Sequence, residues 1–483
     1  MILTKPKEFA SAGMALALAA AVDLDEAGGA GPGDHADRCT DEMPGASTPP
    51  ASSARRVLLL TVVDQGASSL SNFALAVLVA HYSSAHTLGV FAILTSTYIL
   101  SQGLVRSFTS DCLLTRPEAG ADTRGAFERS GYVASLTLAC ATSVCLLAAS
   151  TAMGPTFALP FVIFALAFPL AALQDYARFV GIGRHDPAYA IRLDVAWLVM
   201  FLAAYVTLRA MGLVTFPWLF GAWIGTGAAV GLWTVRAHLP GAWRRSLAFW
   251  FRSERSIGWR FAGQFMLSSV STYLIFYVLA FFVITVAEVG TIKLSQLAIG
   301  PIVVVITGAQ SALVTIAARR FHSGRAGALG FLLVTGLLMA GVVVAWTALV
   351  YLAPVGLLRR ELGPAWPAAR ALVPFTGLTF VMAALSGAAI AGLRALRAAR
   401  ENLLVALAML PLVVAGAIIG AEAAGARGCV IGSMLAAAVT ALASWSVLVR
   451  TARNADPRPA PSAVAAHDPR SHPTLPAVVP ADA

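Results

Sequence analysis

Runs of about 18 to 25 apolar residues recur along this 483-residue chain, each long enough to cross a hydrocarbon core of about 30 Å as an α-helix. Backbone polar groups in lipid must be satisfied within their own segment, so repeated runs of this length force a helical bundle. Twelve lie at about 57–80, 87–113, 130–153, 157–182, 188–208, 213–235, 261–284, 288–316, 327–352, 368–393, 402–420 and 428–449. The expected fold is therefore an all-α integral membrane protein with about 12 transmembrane helices. Composition agrees, with 58% hydrophobic and 12% charged residues, where a soluble domain carries about 25% charged.

Charge is distributed as topology requires. The chain has 34 Lys and Arg against 24 Asp and Glu, an excess that in a soluble protein suggests nucleic acid. Here it sorts by loop. With a cytoplasmic N-terminus, tails and inner loops hold 25 of the 34 cations, five fall inside spans, and outer loops keep Arg209, Arg359, Arg360 and Arg427. Both termini are thus expected in the cytoplasm, and no nucleic-acid partner is.

Residues 1–22, with Lys5 and Lys7 ahead of a short apolar core, imitate a signal peptide. Cleavage there would place the new N-terminus outside, against the charge count, so the stretch reads as a dispensable extension or a start site placed too early. Residues 1–54 and 451–483, rich in Ala, Gly, Pro, Asp and Ser, read as disordered tails. The cysteines, Cys39, Cys112, Cys140, Cys145 and Cys429, are odd in number and lack metal-ligand spacing. Neither metal nor cofactor is expected.

The chain repeats. Offset by 200 positions, SSLSNFALAVLVA (68–80) lies over SSVSTYLIFYVLA (268–280), Asp64 falls on Gln264, and after one residue of slip Gly89 meets Gly290. The competing reading is that Ser-rich helices resemble each other by composition. Duplication gives two pseudo-symmetric six-helix lobes, residues 55–238 and 261–450, joined by an amphipathic cytoplasmic linker at 239–260. Halves related in this way commonly frame a central binding site.

The first span opens DQGASSLSN, and at about 100° per residue Asp64, Gln65, Ser68, Ser69, Ser71 and Asn72 share one sector of about 160°. Serines can glue helices by hydrogen bonding. Asp64 asks for more, because a carboxylate costs about 3 kcal/mol near the bilayer centre unless it meets water or a partner. Arg106 reaches a similar depth in the second span, where an Asp64 to Arg106 pair is plausible. Gln174, Asp175 and Arg178 in span four and Asp194 in span five lie in the same cytoplasmic half. The second half offers Gln264, Gln296, Gln310 and one outward-lying cation, Lys293.

This cluster suggests a cavity open to the cytoplasm that receives an anionic headgroup. Arg106 and Arg178 are candidates, because a guanidinium engages two phosphate oxygens at once. Other readings stay open: Arg178 snorkels to the interface, and Asp175 and Asp194 merely pair with Arg178 and Arg192. Gln65, Gln264, Gln310 and Lys293 complete the candidate substrate contacts, with Asp64, Asp175 and Asp194 for ion coupling or charge pairing. Pro160, Pro169, Pro301, Pro374 and Pro411 are expected to bend their helices. WRRSLAFWFRSERS (243–256), interleaving Arg with Trp and Phe, reads as a surface helix that anchors to the anionic inner leaflet.

Five stretches carry a resemblance: DQGASSLSNFALAVLVA (64–80), TLGVFAI ahead of GLVRSFTSDCLL (103–114), VGTIKLSQLAIGPIVVVITGAQSAL (289–313), LGPAWPAARALVPFTGL (362–378) and AGLRALRAARENL (391–403). Together with twelve spans and the repeat, they make residues 55–450 resemble the lipid-linked oligosaccharide and O-antigen flippases, the polysaccharide branch of the MOP superfamily, related to MATE exporters. The resemblance implies two lobes around a central cavity in the cell membrane. It also implies a non-enzymatic carrier turning over undecaprenyl-diphosphate sugars by alternating access, commonly ion-driven, with glycan polymerase or glycosyltransferase partners. Arg106 matches the family's basic position near the end of span two, and the Gln264 helix opens the second lobe. The acidic and aromatic residues usual before the glycine of TLGVF are absent, and the second lobe lacks a buried carboxylate. Coupling would then rest on Asp64, Asp175 or Asp194, or be absent.

A multidrug or lipid II carrier has the same fold. A membrane glycan polymerase or ligase, by resemblance, keeps its catalytic residues in a long outer loop. Here the longest, about 353–367, holds only Arg359, Arg360 and Glu361 as charges. A transport-dead scaffold is the third alternative. No phosphate loop, nucleophile elbow or basic soluble domain supports ATP hydrolysis, serine hydrolysis or nucleic-acid binding.

Overall fold

The computed structural model describes residues 69–115, 121–152, 154–184, 186–235, 243–269, 273 and 275–454. The expected N-terminal tail, residues 455–483, Asp64 and Gln65 lie outside these, and so does the side chain of Gln264. The described secondary structure is helical. The helices are α1 (Ser69–Tyr82), α2 (Ala85–Phe108), α3 (Ser110–Thr115), α4 (Ala121–Ala152), α5 (Pro155–Gly183), α6 (Pro187–Ala210) and α7 (Phe216–Val235). There follow α8 (Trp243–Ser269), α9 (Ile275–Val278, continued by a π turn over Leu279–Val283), α10 (Val286–Ser323) and α11 (Arg325–Leu352). The short α12 (Val355–Leu362) and α13 (Trp366–Arg370) lead to α14 (Val373–Ala395) and α15 (Ala399–Asn454).

Eight of the described helices are long and apolar enough to cross a membrane, fewer than the twelve apolar runs, for identifiable reasons. The first run is described only from Ser69, the sixth is the 20-residue α7, which is not among the eight, and the seventh is divided between α8 and α9. The last two merge into α15, whose helix is broken at Ala424 (φ −151°, ψ 31°) and Gly425 (φ 58°, ψ −141°). Its two arms fold back on each other through glycines: a methyl on Gly420 would lie 2.1 Å from the Gly428 carbonyl oxygen. Small residues four apart let two membrane helices approach to backbone contact. The boundaries shift in two places. Helix α8 runs unbroken from the expected linker into the first span of the second half, and α15 continues to Asn454, past the expected start of the tail. Pro374 stands in the first turn of α14, where no intrahelical N–H is required, so it does not bend that helix as expected. Pro160, Pro169, Pro301 and Pro411 are interior.

The two halves pack differently. In the first, α5 packs against α4 and α7 around a core of rings, with Phe161, Phe164, Phe168, Phe201, Phe220 and Trp223 all buried. Trp197 donates its indole N–H to the Trp223 carbonyl at 2.8 Å, satisfying a group that burial would otherwise penalise. In the second, α14 packs against α10, α11 and α15 through buried alanines such as Ala384, Ala388, Ala389 and Ala391.

Helices α2 and α10 hold the halves together, and they are capped and cross at matching positions. Ser84 caps α2 by accepting from the Thr87 N–H, and Thr285 caps α10 in a capping box with Glu288, 201 positions later. The helices cross at Gly89 and Gly290, where a methyl on Gly89 would sit 1.8 Å from the Val286 carbonyl oxygen. Further contacts between the halves gather at this end. Phe157 meets Phe281 with ring centres 5.9 Å apart, the Thr97 and Tyr277 hydroxyls hydrogen-bond, and His81 approaches the Glu361 carbonyl at 3.3 Å. At the opposite end α8 ties the halves together, with Phe265 packed onto Gly103 of α2.

Candidate functional site

At that opposite end the ionisable groups of the first half converge. Helix α2 presents Gln102 and, one turn later, Arg106; α5 presents Gln174, Asp175 and Arg178; α6 presents Asp194. Spacings of three and four bring each set to one helix face. Arg106 holds Asp175 with two bonds, Nε to Oδ2 at 3.1 Å and Nη2 to Oδ1 at 2.7 Å, the paired geometry a guanidinium makes with a carboxylate. Gln102 reaches the same carboxylate. Beside it, Arg178 Nε lies 3.1 Å from Asp194 Oδ2, and Gln174 donates to Asp194 Oδ1 at 3.1 Å. The Arg178 N–H is not aimed along its contact, which is therefore an ion pair rather than a hydrogen bond at that atom. Phe179 lies between the two systems, its ring centre 4.9 Å from the Arg106 guanidinium and 5.8 Å from that of Arg178.

Exposure separates the pairs. The Arg178 and Asp194 side chains are 9% and 2% accessible, whereas Arg106 is 36% accessible over an Asp175 at 10%. The first pair is dry and neutralised. The second is a partly accessible arginine backed by a nearly buried carboxylate that fixes its orientation.

These positions revise several expectations. The partner of Arg106 among the described residues is Asp175, while Asp64 lies outside them. Arg178 is buried in a pair with Asp194 rather than snorkelling, and Arg192 faces Asp186 at 3.6 Å instead of Asp194. Lys293 does not join the cluster. It sits three residues beyond the Gly290 crossing, its ammonium 5.9 Å from the Phe276 ring, with no carboxylate within ion-pair distance among the described residues. Arg106 is 17 residues beyond Gly89 on the corresponding helix, so the two cations differ in depth by about 20 Å. Gln310 packs against Gly387 of α14, inside the second half. Gln264 stands on α8.

Three features went unread in the sequence. Gln102 precedes Arg106 by four residues, a helical neighbour of a charge already singled out. Glu128 on α4, 2% accessible, accepts from Arg184 Nε at 3.1 Å and from Arg124 Nε at 3.3 Å, locking the α4 and α5 ends together. Its hydrogen bonds raise the pKa of the Arg184 guanidinium above its ordinary value. Glu288 closes its own capping box at Thr285 and accepts from the Ala426 N–H at 3.2 Å, binding the α15 turn to the start of α10. The pattern Thr285-Val-Ala-Glu288 is a capping-box signature. Among the described residues no group of three or more His, Cys, Asp or Glu is placed to hold a metal.

Two surface depressions, of about 430 and 390 Å³, lie at the Gly89 end. One is lined by Phe281, Phe282 and Glu288, the other by His81, Arg359 and Arg360. Both are shallow and distant from Arg106, so the side-chain chemistry locates the candidate site better than the depressions do.

The chain is similar to solved structures across most of its length. An inward-facing multidrug resistance MATE family transporter of the MOP superfamily aligns with a TM-score of 0.58 and 13% identity, covering 80% of this chain and 94% of that one. An outward-facing conformation of such a transporter aligns at 0.53 and 13%, covering 83% and 95%. The chain has the MATE transporter fold. A MOP superfamily transporter from Pyrococcus furiosus, described by the reverse polarity of its binding pocket, aligns at 0.52 and 13%, covering 83% and 95%. No protein-family model matches the chain, and no curated protein matches it. This fold and the long apolar helices make it a multi-pass membrane protein.

Proposed function

We propose that the chain is an alternating-access carrier of the cell membrane that flips an undecaprenyl-diphosphate-linked oligosaccharide from the cytoplasmic to the outer leaflet. The observation that carries this reading is Arg106, partly accessible and held by Asp175 at the end of the bundle away from the Gly89 crossing. With both termini cytoplasmic, that end faces the cytoplasm, and the contacts between halves close the outer side. A headgroup entering from the inner leaflet meets Arg106 first. Its diphosphate offers paired oxygens suited to a planar donor, and Lys293, nearer the outer end, is a second cation along the path. Arg178 and Asp194 act as a fixed structural pair beside the site.

Multidrug export is the second reading, favoured by the likeness in fold to an inward-facing multidrug resistance MATE family transporter. Cationic drugs need an available carboxylate, yet Asp175 and Asp194 each already hold an arginine. The similar MOP superfamily transporter from Pyrococcus furiosus has a binding pocket of reverse polarity, which suggests a different function for it. Lipid II shares the diphosphate chemistry and differs in its sugars.

Deleting the gene and identifying the lipid-linked sugar that accumulates on the cytoplasmic leaflet tests the proposal. Accumulation restored to normal by the wild-type gene, and not by an inserted Arg106→Ala protein, supports it. Altered drug tolerance with no accumulated lipid-linked sugar moves the function to drug export. Glycan polymerases and glycosyltransferases are the proposed partners on the two sides of the step.

A further inference from the structure

Helix α8 has two unlike faces. One is fastened to the first half. Trp250 is 1% exposed, donates its indole N–H to the Phe108 carbonyl at 3.0 Å and stacks 4.5 Å from the Phe127 ring. Gly258 rests on the Phe108 ring, and Glu254, the one acid of the helix, is buried on the same side.

The opposite face carries Arg252, Arg255 and Arg260, all exposed and without an ion pair among the described residues. Flanking them, Phe249 at 42% and Trp259 at 69% exposure each touch a ring of the first half by one edge, Phe249 on Phe127 with centres 6.4 Å apart and Trp259 on Phe108 at 4.8 Å, and leave the rest of their surface open. Phe108 ends α2 and Phe127 stands near the start of α4. The pinned helix therefore lies where spans give way to the membrane interface. At that depth, large exposed apolar side chains meet acyl chains while long cationic ones reach headgroups.

We propose that this face of α8 binds anionic phospholipid headgroups, with Arg252, Arg255 and Arg260 engaging the phosphates and Trp259 and Phe249 seated at the acyl boundary. Charge complementarity selects the occupant, since the face has three cations and no exposed acid. The interleaved aromatics favour a bilayer over a soluble acidic partner. The proposal needs only a membrane protein with this helix and is independent of what the carrier moves.

The full chain, purified in a zwitterionic detergent, is titrated with dansyl-labelled phosphatidylglycerol or phosphatidylcholine, and energy transfer from tryptophan is followed. Phosphatidylglycerol is expected to bind more tightly, weakening with added salt. Replacing all three arginines by Gln lowers its affinity about a hundredfold, at about fivefold for each charge. The triple Lys variant retains the preference, because the interaction is one of charge. Equal affinity of the wild type for the two lipids overturns the proposal without any variant. So does a triple Gln variant, folded by its unfolding temperature, that still binds as the wild type does.

Discussion

Gly89 and Gly290 touch across the junction of the two halves, each against the backbone of the other's helix. A methyl on Gly89 would lie 1.8 Å from the Val286 carbonyl oxygen, and one on Gly290 would lie 1.9 Å from that of Ala85. The relation is reciprocal because Ala85 and Val286 are themselves 201 positions apart, like the glycines and the caps Ser84 and Thr285. The start of each helix thus meets the start of the other in the same way.

Substitution of either glycine is expected to open this end. Gly89→Ala or Gly290→Val forces the helix backbones apart, and overpacking of this kind costs about 1–3 kcal/mol. That is comparable to the energy separating carrier conformations, so the population should shift away from the closed form. A cysteine pair at His81 and Glu361, which approach each other at this end, reports the shift with a short bifunctional crosslinker. Crosslinking should fall several-fold in the glycine variants, and unchanged crosslinking would show that the crossing bears no part of the closure.

Arg106 and Asp175 should separate stability from transport. Arg106→Ala leaves a nearly buried carboxylate without its guanidinium. Loss of a partner from a fully buried pair costs about 3–5 kcal/mol, and the partial accessibility of the Arg106 side chain reduces this toward about 1–3 kcal/mol. Adding Asp175→Ala removes the stranded charge and should restore most of the unfolding temperature while leaving surface glycan export absent. Recovery of both in the double variant would reduce Arg106 to a structural role.

How much of this site is legible without coordinates follows from the cost of a charge in lipid. Arg106, Asp175, Arg178 and Asp194 stand out because so few ionisable residues interrupt the apolar runs. Their partners do not, since Arg106 and Asp175 are 69 positions apart and only the packing of α2 on α5 joins them. Lys293 stands out as the lone cation of its apolar run, but a shared sign does not place it beside Arg106. The repeat was readable from polar side chains and two glycines. The last two apolar runs, 402–420 and 428–449, are separated in the sequence where α15 breaks, but hydropathy does not register the positive φ of Gly425 that turns one arm back on the other.

The Arg178 and Asp194 pair should behave oppositely to that of Arg106. With side chains 9% and 2% accessible, removing one member strands a charge at a cost of about 3–5 kcal/mol, whereas replacing both by apolar residues of similar volume is nearly neutral. Arg178→Ala should therefore lower the unfolding temperature by several degrees. Arg178→Met combined with Asp194→Leu and Gln174→Leu, which also removes the stranded amide, should recover most of it and retain export. A triple variant that is stable yet inactive would instead make this pair part of the substrate path.

Glu288 is expected to act as a clasp between α10 and the α15 turn. One oxygen accepts from Thr285 in the capping box, and the other accepts from the Ala426 N–H at 3.2 Å, beside a Gly425 held at φ 58°. Glu288→Ala removes both, and loss of a capping interaction costs about 0.5–2 kcal/mol. Gly425→Ala strains the turn and pushes a methyl to 2.3 Å from the Glu288 carboxylate, so it should loosen the same contact from the other side. Because the two substitutions break one clasp, their effects should be markedly less than additive. Hydrogen exchange at residues 420–430 should accelerate in either variant and little further in the double one; independent, additive acceleration would mean that the turn and the carboxylate do not support each other.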